Sequence, residues 1–212
     1  MLYIFDWDGT LIDSTDKIAG CMQRAIATLG LPERSVEEAK SIIGLGLPEA
    51  VRTLFPYIEE TMIAKVTASY SSHFVAADQT PCNFYPYVDE VLHQLRSEGH
   101  LLAVATGKSR RGLNRVLANM SLTDFFDASR CADETASKPD PLMLHQLLQT
   151  LNTDVGSAVM VGDTDFDLGM AANAGMKSIG VSYGAHPVER LLPHKPERII
   201  DSFDQLLDGV KE

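Results

Sequence analysis

The fold is decided near the start of the chain, by the stretch Leu2-Tyr3-Ile4-Phe5-Asp6-Trp7-Asp8-Gly9-Thr10-Leu11. Its first four residues are apolar, with β-branched and aromatic members, which predicts a short buried strand. Asp6 and Asp8 follow at once and, two residues apart, are expected to project toward the same face. Gly9 allows a tight turn in which backbone N–H groups can point at a bound anion. Two clustered carboxylates repel each other, so the site invites a divalent metal, a proton or a lysine.

An Asp-Gly turn that closes a β-hairpin is the alternative interpretation of this stretch. A hairpin leaves the acidic residues that occur later in the chain, at Asp163 and Asp167, without an explanation. We therefore predict a buried strand that ends in a functional site.

Length and composition allow one domain, or a core with an insertion. The chain has 212 residues, of which 45% are apolar and 22% charged, both ordinary for a globular protein. No run of 18 apolar residues occurs, and the N-terminus has no basic signal region, so we expect a cytoplasmic location. The cysteines are odd in number and widely spaced, which predicts reduced structural thiols rather than disulfides or a zinc site: Cys21, Cys82 and Cys131.

The charge balance limits the class of partner. The formal net charge is −11, and no block of lysines or arginines occurs. This argues against nucleic acid or an anionic membrane as a main partner. An anionic substrate would instead need local positive charge, which a metal ion and one or two well-placed lysines could supply.

Helical periodicity without a strand signal extends over some seventy residues after the first strand. The predicted helices cover residues 18–29, 36–43, 48–55 and 58–74, and the polar, turn-rich segment 76–83 is the predicted return linker. A helical block that interrupts a buried sheet indicates an inserted helical domain, which we place at residues 14–83. The remaining residues, 1–13 and 84–212, are expected to form the core domain.

Strands alternate with helices in the rest of the chain. Buried strands are predicted at residues 101–105, 158–161 and 178–181, with a weaker one at 198–200. Ser109 is expected to cap one of the intervening helices, and Asp140 another, with Pro141 as the first helical residue. This alternation predicts an α/β fold with a doubly wound parallel sheet that is covered on both faces.

Polar side chains stand where the predicted strands end. Ligands of such sheets bind beyond the carboxyl ends of the strands. The residues found there are Asp6, Asp8, Thr106, Asp163 and Asp167, while Lys138 lies in a loop before a helix. Their convergence is the strongest functional signal in the sequence.

Asp163 and Asp167 suggest a metal site. Being four residues apart, they are expected to share one face of the first turn of a helix. Acidic residues there can also simply complement the helix macrodipole, which is the alternative for Asp165 between them. The preceding buried strand and Gly162 favour metal binding by Asp163 and Asp167. Oxygen ligands without histidine or cysteine suit a hard cation, with Mg²⁺ as the first choice.

Three residues are candidate phosphate contacts. Thr106, with Gly107 behind it, can offer a hydroxyl and a backbone N–H to a phosphate oxygen, although it could equally be a plain helix N-cap. Lys138 could supply the cation that a site with four carboxylates needs, or could be solvated. Lys108 is either a substrate contact or a surface residue.

These motifs together resemble those of the haloacid dehalogenase superfamily, most of whose members are phosphatases. Asp-Trp-Asp-Gly-Thr resembles motif one, Asp-x-Asp-x-Thr, and the resemblance extends along the whole chain. Thr106 matches motif two, Lys138 matches motif three, and Asp163 with Asp167 matches motif four. The resemblance implies a Rossmann-like core with an inserted all-helical cap domain that closes over the active site.

The resemblance also implies a role for each matching residue. Asp6 would be the nucleophile that forms an aspartyl-phosphate, and Asp8 the general acid and then the base that activates water. Mg²⁺ would be held by Asp6, the Asp8 carbonyl and Asp163, with Asp167 in support. Asp8 also separates this chain from the true dehalogenases, which lack that second acid. The expected enzyme is a Mg²⁺-dependent phosphatase acting on a small phosphorylated metabolite.

Two segments are similar to the phosphoglycolate phosphatase branch of the superfamily: Leu11-Ile12-Asp13-Ser14 and Gly44-Leu45-Gly46-Leu47. The loop at Gly44 would then meet the substrate, with Arg52 or Lys17 as further contacts, although a Gly pair can also be an ordinary helix–helix turn. Gly107, a predicted substrate contact together with Lys108, stands where that branch often has Asn.

Other functions use the same residue types. A sugar-phosphate mutase would return the phosphoryl group to its substrate, and a pyrophosphatase or nucleotide phosphatase would differ in substrate only. A receiver-type signalling module is shorter and has no helical insertion. A non-catalytic binding protein would be expected to lose one of the motif residues, and none is lost. The sequence leaves open whether the protein is a monomer or a homodimer.

Overall fold

Six parallel strands form one sheet in the computed structural model, which describes residues 1–77 and 82–208. The strands are β1 (Leu2–Phe5), β2 (Leu101–Thr106), β3 (Ala128–Cys131), β4 (Ala158–Gly162), β5 (Lys177–Val181) and β6 (Arg198–Ile200). Their order in the sheet is β3-β2-β1-β4-β5-β6. The chain therefore runs outward from β1 on one side and then crosses β1 to build the other side. This is the arrangement of a doubly wound sheet.

Nine helices are found among the described residues. They are α1 (Thr15–Thr28), α2 (Val36–Lys40), α3 (Leu47–Leu54), α4 (Glu60–Ala77), α5 (Val88–Ser97), α6 (Arg110–Asn119), α7 (Leu142–Thr150), α8 (Asp165–Asn173) and α9 (Val188–Leu191). Short 3-10 turns lie at Val155–Ser157, Leu192–His194 and Phe203–Leu207. None of these helices is long and apolar enough to cross a membrane.

The sheet is buried on both faces because its strands are apolar at successive positions. Tyr3 and Phe5 belong to one hydrophobic cluster, which α5 and α6 cover with residues such as Leu92. Leu2 and Ile4 point the other way into a second cluster, which α7 and α8 cover. The predicted α/β fold with a parallel sheet covered on both faces is confirmed.

The four helices between β1 and β2 have a hydrophobic cluster of their own. It contains residues from all four, among them Met22 of α1, Ala39 of α2, Val51 of α3 and Val66 of α4. The segments that lead into and out of these helices lie side by side. Asp13 N–H donates to the carbonyl of Asn83 at 3.0 Å, and Tyr85 N–H donates to that of Leu11 at 2.9 Å. Residues 78–81 of the predicted return linker lie outside the described residues.

The β3 strand was not predicted from the sequence. Its residues, Ala-Ser-Arg-Cys, contain no apolar run, and only Cys131 is buried. As the edge strand it pairs with β2 alone, so its side chains do not need to be apolar on both faces.

Several predicted helix boundaries differ from the structure: α1 begins at Thr15 rather than at residue 18, and α4 ends at Ala77 rather than at residue 74. Helix α2 ends at Lys40 rather than at residue 43, and residues 41–44 form a turn instead. Helix α7 begins at Leu142, so Asp140 is not the N-cap and Pro141 is not the first helical residue. Asp140 still caps from one residue further away, because its Oδ1 accepts the Leu142 N–H at 2.9 Å. The predicted cap of α6 is confirmed, since Ser109 Oγ accepts the Gly112 N–H at 3.2 Å.

Candidate active site

The predicted site residues lie at the carboxyl edge of the sheet, around its central strands. Asp6 follows β1, Thr106 ends β2 and Asp163 follows β4. Asp6 continues the pairing of β1 with β4, because its N–H donates to the Val161 carbonyl at 3.0 Å. All three side chains are buried. The parallel sheet thus brings together residues that are far apart in sequence.

Three carboxylates and one lysine form the centre of this site. One oxygen from each of Asp6, Asp163 and Asp167 lies within 4.8 Å of the others. Lys138 Nζ donates to Asp6 Oδ1 at 2.7 Å and to Asp167 Oδ1 at 2.6 Å, and its side chain is fully buried. The alternative of a solvated Lys138 is therefore wrong.

The electrostatics of this cluster show an excess of negative charge. Burial raises the pKa of Asp6 well above its usual range, against the opposing effect of Lys138, and Asp167 and Asp163 raise it further. Burial and the Asp167 charge raise the pKa of Asp163 to about 7. Burial alone would lower the pKa of Lys138, but the two carboxylates that it contacts raise it above its ordinary value. One lysine does not balance three buried acids.

Asp163 and Asp167 both reach the cluster, but they do not lie on one helical turn as predicted. Helix α8 begins at Asp165, so Asp163 precedes the helix and does not share its first turn with Asp167. Asp167 does help to cap the helix, since its Oδ2 accepts the Thr164 N–H at 3.1 Å. Its other oxygen faces Lys138. Asp165 turns away from the cluster and pairs with Arg190 at 2.7 Å, as the macrodipole alternative allows.

Three glycines provide the space for these carboxylates. A Cβ on Gly9 or Gly184 would lie 2.2 or 2.1 Å from an atom of Asp163. A Cβ on Gly162 would lie 2.3 Å from the Asp167 Cβ. Gly9 has φ +88°, as expected for a tight turn, but its N–H donates to the Ile12 carbonyl. The Gly9 N–H is therefore not one of the turn's N–H groups that can point at an anion, and Gly9 also leaves room for Asp163.

Asp163 is held by two groups that the sequence analysis did not assign. Thr10 Oγ1 donates to its Oδ1 at 2.8 Å, and the Ala185 N–H donates to its Oδ2 at 2.7 Å. Thr10 is the last residue of the Asp-Trp-Asp-Gly-Thr stretch, so its position in the motif could have identified it. Ala185 lies in the loop after β5, where no sequence pattern indicates a role.

Asp8 has a separate environment from Asp6. Ser14 Oγ donates to Asp8 Oδ1 at 2.7 Å, and Lys108 Nζ lies 2.8 Å from Asp8 Oδ2. The Asp8 carboxylate is therefore held outside the cluster of three acids. Lys108, an uncertain candidate in the sequence, lies within the site with its side chain only 11% exposed.

Thr106 is placed at the end of β2 and is buried. Its Oγ1 accepts the Lys108 N–H at 3.2 Å. Because Ser109 is the N-cap of α6, the interpretation of Thr106 as a plain helix cap is wrong. A hydroxyl that accepts one hydrogen bond can still donate its own hydrogen.

Known proteins match this chain over almost its whole length. The haloacid dehalogenase-like hydrolase family matches residues 3–181. The chain belongs to this family. A relative from Dickeya dadantii named "Probable phosphatase IndB" is 33% identical over 99% of this chain and 93% of its own. A phosphoglycolate phosphatase from Vibrio vulnificus is 30% identical over 99% of this chain and 95% of its own.

Solved structures agree with the fold. A hydrolase from Pseudomonas syringae superposes with a TM-score of 0.90 at 19% identity, over 99% of this chain and 97% of its own. A haloacid dehalogenase-like hydrolase from Streptococcus pneumoniae has a TM-score of 0.85 at 24% identity, over 99% of this chain and 98% of its own. The family match and the named phosphatase relatives confirm the predicted superfamily, its phosphoglycolate phosphatase-like branch and a hydrolase of the phosphatase type.

The acidic cluster of this haloacid dehalogenase-like hydrolase fits a divalent cation. Asp6 Oδ2 is buried and has no hydrogen-bond partner among the described residues. A buried carboxylate oxygen is costly without a donor or a cation beside it. Three carboxylates with one lysine also leave negative charge that a dication would balance. The donors are all oxygens, which hard cations prefer.

The loop between α2 and α3 lies directly on the family motifs. A Cβ on Gly107 would lie 2.6 Å from the carbonyl oxygens of both Gly44 and Leu45. The Gly46 N–H donates to Ser137 Oγ at 2.8 Å, next to Lys138. These contacts explain why a glycine follows Thr106 here, since a larger residue would collide with backbone.

Further contacts seat the same loop on the catalytic edge of the sheet. His186 Nε2 donates to the Ser41 carbonyl at 3.0 Å, and a Cβ on Gly44 would lie 3.0 Å from Thr164 Oγ1. Arg52, one of the suggested substrate contacts, instead pairs with Glu49 and Glu60 on the exposed side of α3. That suggestion gains no support from its position.

Proposed function

We propose that this protein is a Mg²⁺-dependent phosphatase that hydrolyses a small phosphate monoester, of the phosphoglycolate type, through an aspartyl-phosphate intermediate on Asp6. The observation that carries the proposal is the pair of carboxylates with different environments. Asp6 is buried against Lys138, and Asp8 is held apart by Ser14 and Lys108. Two neighbouring acids with different surroundings can serve as nucleophile and as proton donor.

Asp6 is the proposed nucleophile. Lys138 holds the side chain at Oδ1, one of the two carboxylate oxygens attacks the phosphorus atom of the ester, and the other is the proposed Mg²⁺ ligand. A bond forms between Asp6 and phosphorus while the bond from phosphorus to the leaving oxygen breaks. Lys138 also places a positive charge next to the transferring phosphoryl group. Splitting one difficult displacement into two easier ones is the gain of covalent catalysis.

Asp8 is the proposed acid and base. In its protonated form it gives a proton to the leaving oxygen, so that an alcohol departs. The resulting carboxylate then takes a proton from the water that attacks the aspartyl-phosphate, and Asp6 is regenerated. The Ser14 hydroxyl, 2.7 Å away, keeps the Asp8 carboxyl group in one orientation during both steps.

The proposed Mg²⁺ ligands are Asp6, the Asp8 carbonyl and Asp163, with Asp167 in support. When bound, the cation supplies charge neutralisation and orientation of the phosphoryl oxygens. Thr10 and Ala185 fix both oxygens of Asp163, which determines how that carboxylate faces the cluster. Thr106 is the proposed donor to a phosphoryl oxygen, together with the backbone at Gly107.

Residues 14–83 are the proposed cap domain, and residues 1–13 and 84–212 the proposed catalytic core. The support is the separate hydrophobic cluster of α1 to α4 and the close pairing of the two connecting segments. In this arrangement the loop at Gly44 covers the site and excludes water from the reacting phosphoryl group. The substrate is then a small phosphorylated metabolite. A cytoplasmic location is part of this proposal.

Removal of the metal tests this proposal. Exhaustive chelation is expected to abolish phosphate release from 2-phosphoglycolate, and added Mg²⁺ should restore it, because the buried acids otherwise lack their counter-charge. The assay measures inorganic phosphate and any new phosphate ester together. Release that survives chelation would contradict the metal requirement. A product ester in place of free phosphate would identify a mutase.

The contact between the cap loop and the core gives a second test. Gly107→Ala is expected to lower kcat/KM by about 100-fold, because its Cβ would push the Gly44 and Leu45 carbonyls off the core. Gly156→Ala is the matched control, since nothing lies within 4 Å of a Cβ there. Dependence on Mg²⁺ should remain in both variants. Equal kcat/KM for the two variants would show that this loop contact is not needed for turnover.

A further inference from the structure

A short loop after β5 contacts both the acidic cluster and the helices of the proposed cap. It comprises residues 182–187, and we call it the β5 loop. The Tyr183 ring in this loop lies 4.5 Å, centroid to centroid, from the ring of Tyr85 on the segment that returns from the cap helices. The proposed reaction steps use no side chain of the β5 loop, so its contacts need a separate explanation.

The side of the β5 loop that faces the core is fitted to Asp163. The Ala185 N–H donates to Asp163 Oδ2 at 2.7 Å. Tyr183 OH donates to the carbonyl of Thr10 at 3.0 Å, and the Thr10 hydroxyl in turn donates to Asp163 Oδ1 at 2.8 Å. Gly184 allows this close approach, since a Cβ there would lie 2.1 Å from the Asp163 Cβ. The orientation of this carboxylate therefore depends on the position of the β5 loop.

His186, the next residue of the loop, joins the proposed cap to α8. Its side chain is buried. Nε2 donates to the Ser41 carbonyl at 3.0 Å, and Nδ1 accepts the N–H of Asp165, the first residue of α8, at 3.2 Å. The ring also packs edge-on against Phe166, with the two centroids 5.3 Å apart. A hydrogen on Nε2 and a lone pair on Nδ1 satisfy both backbone contacts, so the imidazole is a bridge of fixed orientation.

Ala185 contacts both parts of the protein by itself. Its N–H is bound to Asp163, and its side chain packs against a hydrophobic cluster of the cap helices that contains Ile18, Cys21, Ile43 and Phe74. Movement of the cap away from the core would remove this packing together with the bond between His186 and Ser41. Ala185 would then be free to move away from Asp163.

We propose that the β5 loop couples the seating of the cap to the position of Asp163, with His186 as the positioning residue. This inference rests on the proposed function, in which Asp163 is a Mg²⁺ ligand. Because coupling between two sites is reciprocal, Mg²⁺ favours the seated cap and the seated cap strengthens Mg²⁺ binding. The metal site then reaches its full affinity only while the cap covers the reacting phosphoryl group.

Hydrogen exchange of the wild-type protein, with and without MgCl₂, tests the coupling without any turnover. Peptides that cover residues 41–46 contain the Gly46 N–H, which donates to Ser137 where the cap loop meets the core. MgCl₂ is expected to slow exchange in these peptides by about fivefold or more, the lower end of ordinary coupling between sites. Helix α7, which packs on the sheet, is the internal reference and should change less.

Two substitutions at position 186 separate the bridge from simple burial. Glutamine can place a donor near the position of Nε2 and keep the bond to Ser41, whereas the shorter asparagine reaches only the Asp165 N–H. His186→Asn should weaken Mg²⁺ binding, measured by titration calorimetry, by about tenfold, as expected for a group that orients a metal ligand. It should also remove the effect of MgCl₂ on residues 41–46. His186→Gln should restore most of both effects.

His145→Asn is the matched control, because it makes the same substitution at an exposed histidine of α7. It should bind Mg²⁺ as the wild-type protein does. Thermal unfolding verifies that each variant is folded, and the exchange experiment on the wild-type protein tests the coupling independently of any variant.

Each contrary outcome has a distinct meaning. Mg²⁺ binding by the wild-type protein without slower exchange in residues 41–46 would overturn the coupling and leave the phosphatase function intact. A His186→Asn variant that is less stable but binds Mg²⁺ as tightly as the wild type would also overturn it, since His186 would then be only structural. If the wild-type protein neither binds Mg²⁺ nor releases phosphate from 2-phosphoglycolate, the proposed function fails and the coupling with it.

Discussion

Replacing Asp6 with asparagine is expected to abolish turnover while the protein stays folded. An amide cannot act as the nucleophile, and the substitution also removes one of the two carboxylate oxygens, including the charge, from the reacting group. The fold should tolerate the change, because burial already disfavours the charged form of Asp6, whose pKa lies well above its usual range. Steady-state phosphate release and thermal unfolding are the two measurements.

Asp16→Asn is a matched control for this variant. Asp16 lies close in sequence, but its side chain is 86% exposed and pairs with Lys40 on the surface. It should show wild-type turnover. Wild-type turnover in Asp6→Asn as well would remove Asp6 from the mechanism.

Replacing Asp8 with asparagine is expected to slow hydrolysis of an alkyl phosphate by about 10²–10⁴, the usual scale of general acid–base catalysis. Asparagine keeps the size of the side chain and can still accept from Ser14, so the loss should come from proton transfer. Comparison of kcat for an alkyl ester and for p-nitrophenyl phosphate separates protonation of the leaving oxygen from activation of the attacking water.

The effect of Asp8→Asn should depend on whether the leaving group needs a proton. Nitrophenolate departs without protonation, so formation of the aspartyl-phosphate from this ester should be slowed less than from the alkyl ester. The initial burst of nitrophenol in rapid mixing reports that step alone. An equal loss for both esters in this step would contradict the role of Asp8 as the proton donor.

The central strands were predictable because both of their faces are buried. Runs such as Leu101 to Ala105 and Ala158 to Val161 are apolar at every position, which is a strong signal in a short segment. The same physics explains why β3 was missed. It lies at the edge of the sheet, where a charged residue is tolerated. The Arg130 guanidinium there donates hydrogen bonds to Gln146 and Thr150.

The sequence predicted which residues form the site but not how they are arranged. The sequence places Asp6, Asp163 and Lys138 near strand ends, and parallel strands bring such ends together. It does not show that Lys138 is fully enclosed, because its partners are 132 and 29 residues away in the chain. Burial of a lysine between two acids is a property of the assembled sheet and loops.

The surroundings of Asp8 were least accessible from the sequence. Ser14 was noted only as part of a family-like segment, and Lys108 only as an uncertain contact. Phe74 reads as an ordinary apolar position of an amphipathic helix. Its ring lies 4.8 Å from Lys108 Nζ, a contact between distant parts of the chain that no local pattern specifies.

Trapping the covalent intermediate tests the central claim most directly. Wild-type protein mixed with 2-phosphoglycolate and Mg²⁺ is quenched in acid during turnover, reduced with borohydride and mapped by mass spectrometry. An aspartyl-phosphate is reduced to homoserine, so the proposed mechanism predicts homoserine at position 6, and none in the Asp6→Asn variant. Rapid turnover without modification at position 6, or with modification at another acid, would contradict the account.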